Sequence, residues 1–238
     1  MRRSAASLMI TSAVAACAVV SVAQAQSPGY WYIGSLGGRG QEVMTVSAIA
    51  PGATVYGVNN YYPSNSPYFR RAWKFTPQTG NNPLANTPSS GTSSGVYATS
   101  ADGSVIVGVL GVAPGQPGTN AVVFRRVNGG ADEVLPLAPG MTSPNVTAIS
   151  DDGQVTVGIV GGYGGGGRPA KWVGTNVAES LPVYGAGPSA QALGVNGDGS
   201  VIVGWSGFGY PFDQVAVRWV KGQVESLGIP PGFVRTWA

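Results

Sequence analysis

The segments SADGSVIVG (100–108), SDDGQVTVG (150–158) and NGDGSVIVG (196–204) are near copies of one another, and they decide the fold. A more divergent copy, APGATVYG, occupies 50–57. Each copy places a short polar turn before a run rich in valine and isoleucine. Because Asp and Gly tolerate the positive φ of tight turns, the pattern predicts a β-hairpin whose second strand is buried.

Three further features recur around this core in constant order. A short alanine-led strand precedes each turn, an aromatic residue follows the valine run, and a leucine comes after the aromatic residue. The aromatic positions are Trp73, Phe124, Trp172 and Trp219, which are 51, 48 and 47 residues apart. Self-similarity at such a period is the signature of a repeat architecture.

Each repeat is predicted to contain four short strands. In the third copy they are TAIS (147–150), VTVGIV (155–160), RPAKWV (168–173) and VAESLP (177–182). A four-stranded antiparallel meander repeated in tandem is typical of β-propeller blades. The sequence therefore predicts an all-β, propeller-like array of four full blades, with a β-solenoid as the alternative. The four repeats are placed at about 39–90, 91–140, 141–187 and 188–232.

The two ends of this array resemble parts of a fifth repeat. Residues 30–38 (YWYIGSLGG) match the end of a repeat, and residues 233–238 (FVRTWA) match the beginning of one. We therefore expect four full units and an incomplete fifth blade. An unpaired strand edge in that blade would offer a route to oligomerisation.

The composition excludes several classes of protein. Only 10% of the residues are charged, there is no histidine, and Cys17 is the single cysteine. A catalytic triad with histidine, a histidine-ligated metal and an internal disulfide are therefore excluded. Glycine and proline, 38 and 18 of 238 residues, fit a fold of many short strands and tight turns.

The first 25 residues have the features of a secretory signal peptide. Arg2 and Arg3 precede an apolar run from Leu8 to Val22, and Ala23-Gln24-Ala25 forms a small-residue cleavage site. We predict cleavage after Ala25 and a mature β-repeat domain at 26–238, exported to the periplasm, the cell surface or the medium. In the alternative, Val14-Ala15-Ala16-Cys17 is a lipobox and Cys17 carries a lipid. The run is too short to predict a transmembrane span.

The repeat pattern resembles the bacterial extracellular HAF repeats. The residues that carry the likeness are Ala148 to Gly158, Gly194 to Gly204, Ala216 to Trp219 and Glu225 to Gly228. The likeness extends over about 30–238 and is strongest at 98–232. It implies an exported or cell-surface repeat protein of no established biochemistry.

Recurring carboxylates are interpreted as architecture. Asp102, Asp152 and Asp198 would form the turns, rather than hold calcium or act in catalysis. Glutamates at 133, 179 and 225 would lie on outer strands, rather than form the carboxylate pair of a glycosidase. The four recurring aromatic residues would pack between blades. We expect no catalytic residue, no metal and no cofactor.

Aromatic residues gather in the loops between the second and third strands of the repeats. Because those loops lie at one end of a propeller, their rings could form an exposed surface that binds a partner. The ligand-binding candidates are Tyr61, Tyr62, Tyr163, Trp205, Tyr210 and Phe212.

Two functions from different classes are consistent with these features. The first is a non-enzymatic binding or scaffold module for a glycan or a cell-envelope protein. The second is an extracytoplasmic propeller hydrolase or lyase acting on polysaccharide. Without Arg2 and Arg3 the chain has 11 basic and 10 acidic residues, so we expect no nucleic-acid partner.

Overall fold

A computed structural model describes residues 43–61, 69–84, 94–111, 121–161, 166–207, 214–229 and 231. The chain divides into two units, Met1–Ile33 and Gly34–Ala238, and every described residue belongs to the second unit. The predicted signal peptide, the lipobox and both partial repeats lie outside the described residues.

The described residues form sixteen strands in four sheets of four, which we call blades 1 to 4 in chain order. Blades 1 and 2 contain β1 (Val43–Ala50), β2 (Thr54–Tyr61), β3 (Phe69–Thr76), β4 (Gly80–Pro83), β5 (Ser94–Thr99), β6 (Val105–Leu110), β7 (Val122–Val127) and β8 (Asp132–Leu135). Blades 3 and 4 contain β9 (Asn145–Ile149), β10 (Val155–Val160), β11 (Arg168–Val173), β12 (Glu179–Ser180), β13 (Ser189–Val195), β14 (Val201–Gly207), β15 (Val215–Val220) and β16 (Gln223–Ser226).

Each blade is an antiparallel meander in which consecutive strands are neighbours. The predicted all-β, blade-like architecture is confirmed, and each sheet lies within one predicted repeat. The antiparallel pairing does not fit the stacked parallel coils of the β-solenoid alternative. Within the third repeat, strands β10 and β11 have the predicted bounds, whereas the fourth strand shortens to Glu179–Ser180.

The core lies between neighbouring blades. One apolar cluster joins blades 2 and 3, a second joins blades 3 and 4, and a third joins blades 1 and 2. Val107 and Val157, at the centres of β6 and β10, are fully buried. One sheet cannot bury both of its faces alone, so stacking of the blades supplies the hydrophobic stabilisation.

A β-bulge interrupts the first strand of every blade. The four bulges lie between Val46 and Ala48, between Val96 and Ala98, between Val146 and Ala148, and between Ala192 and Gly194. In each case the glycine that closes the repeated motif lies on the second strand, opposite the bulge. These glycines are Gly57, Gly108, Gly158 and Gly204. A Cβ on Gly158 would clash with the backbone oxygen of Asn145. The recurring glycine is therefore explained by the close approach of two backbones.

The four recurring aromatic rings are all buried, but they do not occupy one structural position. Trp73 lies opposite Gly57, and Phe124 lies opposite Gly108. Trp172 and Trp219 instead lie opposite Thr156 and Ile202, which precede the recurring glycine by two residues and so belong to the neighbouring cross-strand row. In blades 1 and 2 that later position is occupied by Phe75, opposite Val55, and by Arg126, opposite Ile106.

The two tryptophans at the later position bind the preceding blade. The indole Nε1 of Trp172 donates to the carbonyl of Pro136 at 3.1 Å, and Trp219 donates to that of Pro182 at 2.7 Å. Each acceptor directly follows a recurring leucine, which is Leu135 at the end of β8 or Leu181 just after β12. A buried ring with a satisfied N–H thus joins successive blades.

Candidate functional site

The meander places two kinds of connection at opposite ends of the molecule. Turns between the first and second strands and between the third and fourth strands share one end, which we call the turn end. The loops between the second and third strands and the linkers between blades share the other, the loop end. Among the described residues, the recurring aspartates of the sequence analysis lie at the turn end.

At the turn end, the recurring aspartates cap their own turns. The Ser100 hydroxyl donates to Asp102 Oδ1 at 2.6 Å, and the backbone N–H of Ser104 donates to the same oxygen at 2.9 Å. Ser150 and Gln154 bind Asp152 in the same way, at 2.5 and 2.9 Å. These are Asx turns, in which the side chain binds the backbone two residues on.

The hydrogen bonds keep these carboxylates ionised. The Ser100 hydroxyl, followed by the Ser104 N–H, lowers the pKa of Asp102 to about 2. Donors from Ser150 and from Ser200 likewise lower the pKa of Asp152 and Asp198. A carboxyl group held this far below neutral pH is a poor general acid. Among the described residues, no group of three or more carboxylate, histidine or cysteine side chains could hold a metal ion.

Neighbouring turns are also bonded to one another. The Ala101 N–H donates to the Asp151 carbonyl at 3.1 Å, and the Asp152 N–H donates to the Gly197 carbonyl at 3.4 Å. Much of the polar backbone at the turn end is thus used within the fold.

The outer-strand glutamates form cross-strand ion pairs, one in each of blades 2, 3 and 4. Arg125 pairs with Glu133 at 3.1 Å, Lys171 with Glu179 at 3.0 Å, and Arg218 with Glu225 at 2.7 Å. Each glutamate lies opposite its basic partner in the strand register. The three carboxylates are on separate blades, each with its own cation, which is not the convergent pair that glycoside hydrolysis needs.

A buried ion pair between blades 1 and 2 has no counterpart in the sequence analysis. Arg126 Nε donates to Asp132 Oδ1 at 2.7 Å, and both side chains are largely buried. The Arg126 guanidinium lies 5.9 Å from the centre of the Phe124 ring. Burial raises the pKa of Tyr56 in blade 1, and the Arg126 charge opposes that rise. The Arg–Asp pair therefore takes the place that tryptophan occupies in the interfaces of blades 3 and 4.

Among the ligand-binding candidates, only Trp205 has a described side chain. Its predicted location in a loop is wrong, because β14 runs through Gly207 and Trp205 pairs with Gln191 and Ala216 inside the sheet. The ring is half-buried. Tyr61 ends strand β2, with its side chain outside the described residues. Tyr62, Tyr163, Tyr210 and Phe212 also lie outside them, so their exposure remains a prediction.

Tyr184, which the sequence analysis did not select, is an exposed aromatic residue at the loop end. It lies in the linker between blades 3 and 4, and 42% of its surface is accessible. Its backbone N–H donates to Ser206 Oγ at 3.0 Å, and the Ser206 hydroxyl donates back to its carbonyl at 3.1 Å. The ring is therefore presented on a fixed backbone. Its position in a linker, directly after Leu181-Pro182-Val183, is the signal that could have identified it.

None of the described residues forms a helix long and apolar enough to cross a membrane.

No protein-family model matches the chain, and no curated protein matches it. Among solved structures, it is similar to a putative TolB from Agrobacterium tumefaciens, with a TM-score of 0.51 and 12% identity, over 79% of this chain and 62% of that one. It is also similar to a structure from a study of two prolyl endopeptidases, with a TM-score of 0.53 and 12% identity, over 82% of this chain and 31% of that one. The chain spans less than two thirds of the length of either.

At such low identity the likeness shows the fold alone. The two similar structures and the four stacked meanders agree on a β-propeller-type protein. Activity and partners do not follow from the fold, since one architecture supports many functions.

Proposed function

We propose that this protein is an exported, non-enzymatic binding module whose loop end docks a glycan or a cell-envelope protein. The observation that carries the proposal is the exposed ring of Tyr184 on a backbone that Ser206 fixes from both sides. Rigid aromatic side chains supply a large contact area at a small entropic cost, and they are enriched where partners bind.

The contrast between the two ends supports the same proposal. At the turn end, aspartates bind their own turns and neighbouring turns bond to each other. In the sequence, the segments between second and third strands differ in length and include the aromatic candidates Tyr62, Tyr163, Tyr210 and Phe212, while Tyr61 ends the strand before the first of them. Variable loops on a rigid scaffold are the usual location of binding residues.

Export and the HAF-repeat relationship belong to the proposal as well. They rest on the sequence of the first 25 residues and on the repeated motif. N-terminal sequencing of the protein from its native host tests export, and we expect the mature chain to begin at Gln26. A lipid-modified Cys17 at the N-terminus would replace this assignment with the lipoprotein alternative.

Titration of the purified protein with cell-wall polysaccharide fragments and with solubilised envelope proteins tests the binding module. We expect Tyr184→Ser and Tyr210→Ser to weaken binding at least tenfold without lowering the unfolding midpoint. Val177→Ser is the matched control, because Val177 is similarly exposed (49%) but lies at the turn end. Hydrolysis or elimination products in the polysaccharide samples would instead support the hydrolase or lyase alternative.

A further inference from the structure

The face of each blade that packs on the next blade is buried in blades 2 and 3 but more exposed in blade 4. We call the face of a blade that packs on the next blade its trailing face, and the opposite one its leading face. On the trailing face of blade 2, Val107, Arg125 and Glu133 form one cross-strand row, and Val109, Val123 and Leu135 form the next. Blade 3 repeats this pattern, with Val157, Lys171 and Glu179 in the first row and Ile159, Pro169 and Leu181 in the second.

Blade 4 has the same two rows on its trailing face. The first row is Val203, Arg218 and Glu225, and the second is Trp205, Ala216 and Leu227. Trp205 therefore occupies the position of Val109 and Ile159, which are buried between blades. By register, Trp205 belongs to a packing face.

Burial differs between this face and its counterparts. Leu135 and Leu181 are 2% and 4% exposed, whereas Leu227 is 50% exposed and Ile229, two residues later, is 41% exposed. Val203 and Trp205 are half-buried, whereas Val107 and Val157 are fully buried. Among the described residues of this face, Val203, Trp205 and Leu227 are thus less covered than the residues at the same positions of blades 2 and 3, whereas Ala216, between Trp205 and Leu227, is buried.

The leading face of blade 1, at the opposite end of the array, is covered. Val55, Trp73 and Phe75 on that face are all buried. Of the two terminal faces of the described array, only the trailing face of blade 4 is accessible. Head-to-tail addition of a second copy would need that leading face, whose described apolar side chains are already buried.

The charged residues on the trailing face of blade 4 are compatible with the same face of a second copy. Arg218 and Glu225 pair at 2.7 Å in the middle of the first row, and each is about half exposed. Their charges cancel, so two such faces do not repel each other. A two-fold axis that lies between the two faces and crosses this row between Arg218 and Glu225 would bring the arginine of each copy towards the glutamate of the other.

We infer that the trailing face of blade 4 is a homodimer interface, in which two copies pack face to face around a two-fold axis. An isologous contact of this kind closes on itself and does not propagate into a filament. Four strands about 4.8 Å apart and about 20 Å long span roughly 400 Å². The two faces together then bury on the order of 800 Å², less than the ~1,200 Å² of stable complexes. The dimer is therefore weak and depends on concentration.

Sedimentation of the purified chain over about 5 to 500 µM tests this interface. We expect the average mass to rise with concentration from that of one chain towards twice that value. Leu227→Glu should keep the protein monomeric throughout, with an unchanged unfolding midpoint, because the side chain is already half exposed. Ile229→Lys provides a second variant with the same expected result. Val134→Glu is the matched control and should associate like the unmodified chain, since Val134 is 55% exposed on blade 2.

Three results would overturn the inference. A monomer at every concentration would mean that no second copy binds this face. Association that Leu227→Glu and Ile229→Lys leave unchanged would place the interface elsewhere. Masses growing beyond a dimer would exclude the closed two-fold arrangement. Partner binding at the loop end is measured separately through Tyr184, so the failure of one proposal is distinguishable from the failure of the other.

Discussion

Replacing Gly153 by alanine tests whether the recurring turn glycine joins blades as well as forming a turn. Gly153 has a φ of +70°, which L-amino acids with a side chain rarely adopt. A Cβ there would lie 2.7 Å from Val105 Cγ2 and 3.0 Å from Val105 Cβ, on the preceding blade. Gly129 has the same φ of +70°, but a Cβ added to it would meet no atom within 4 Å. The two positions separate backbone strain from blade contact.

The expected magnitudes follow from these distances. A left-handed alanine costs about 1–2 kcal/mol, and the stiffer unfolded chain returns about 0.4–1 of it. Gly129→Ala should therefore lower the free energy of unfolding by about 1 kcal/mol. Gly153→Ala adds the overpacking of a buried valine, about 1–3 kcal/mol, because Val105 is 4% exposed and cannot move into solvent. We expect a total loss of about 2–4 kcal/mol.

Urea denaturation of the two variants measures both losses, provided that the slope m is unchanged. Val105→Ala in the Gly153→Ala background completes a double-mutant cycle. Since the smaller side chain makes room for the new methyl group, the double variant should be more stable than additivity predicts by about 1 kcal/mol or more. Equal losses for Gly129→Ala and Gly153→Ala, or full additivity in the cycle, would refute the role of this glycine between blades.

Three further predictions concern the interior and the turns. Trp172→Ala should destabilise the protein by about 3–5 kcal/mol, because it removes a fully buried ring and leaves the Pro136 carbonyl without its indole donor; an unchanged thermal midpoint would contradict this. Asp132→Asn should cost about 3–5 kcal/mol by leaving the buried Arg126 charge uncompensated, and recovery of the urea midpoint on adding Arg126→Met checks that cause. The pKa of Asp102 is lowered to about 2 from 3.8, so its contribution to stability is present above about pH 4 and is lost as the pH falls towards 2. Asp102→Asn should make the unfolding midpoint less sensitive to pH in that range, and an identical pH profile would show that the carboxylate is not hydrogen-bonded in the turn.

Much of this architecture is local information, and the sequence alone was sufficient to predict it. Turn type depends on a few adjacent residues, so the Asp-Gly motifs located the hairpins. The valine-rich run VTVGIV located the buried strand β10, and the segment RPAKWV with the recurring tryptophan located β11, both with their observed bounds. Repetition of the motif then predicted stacked blades, because each copy needs a neighbour to cover its apolar faces.

The remaining features depend on the register between strands and on packing between blades, and only the tertiary structure decided them. The second and third strands pair differently in blades 2 and 3: Phe124 lies opposite Gly108, whereas Trp172 lies opposite Thr156, so the two residues share a sequence pattern but not a structural position. Trp205 looked like a loop residue, because the length of β14 is determined by its partners on β13 and β15. Whether its ring is buried or open depends on the presence of another blade, since the same face is covered in blades 2 and 3. The sequence determined the strand order within each blade, and packing between blades determined which face of a blade is available for binding.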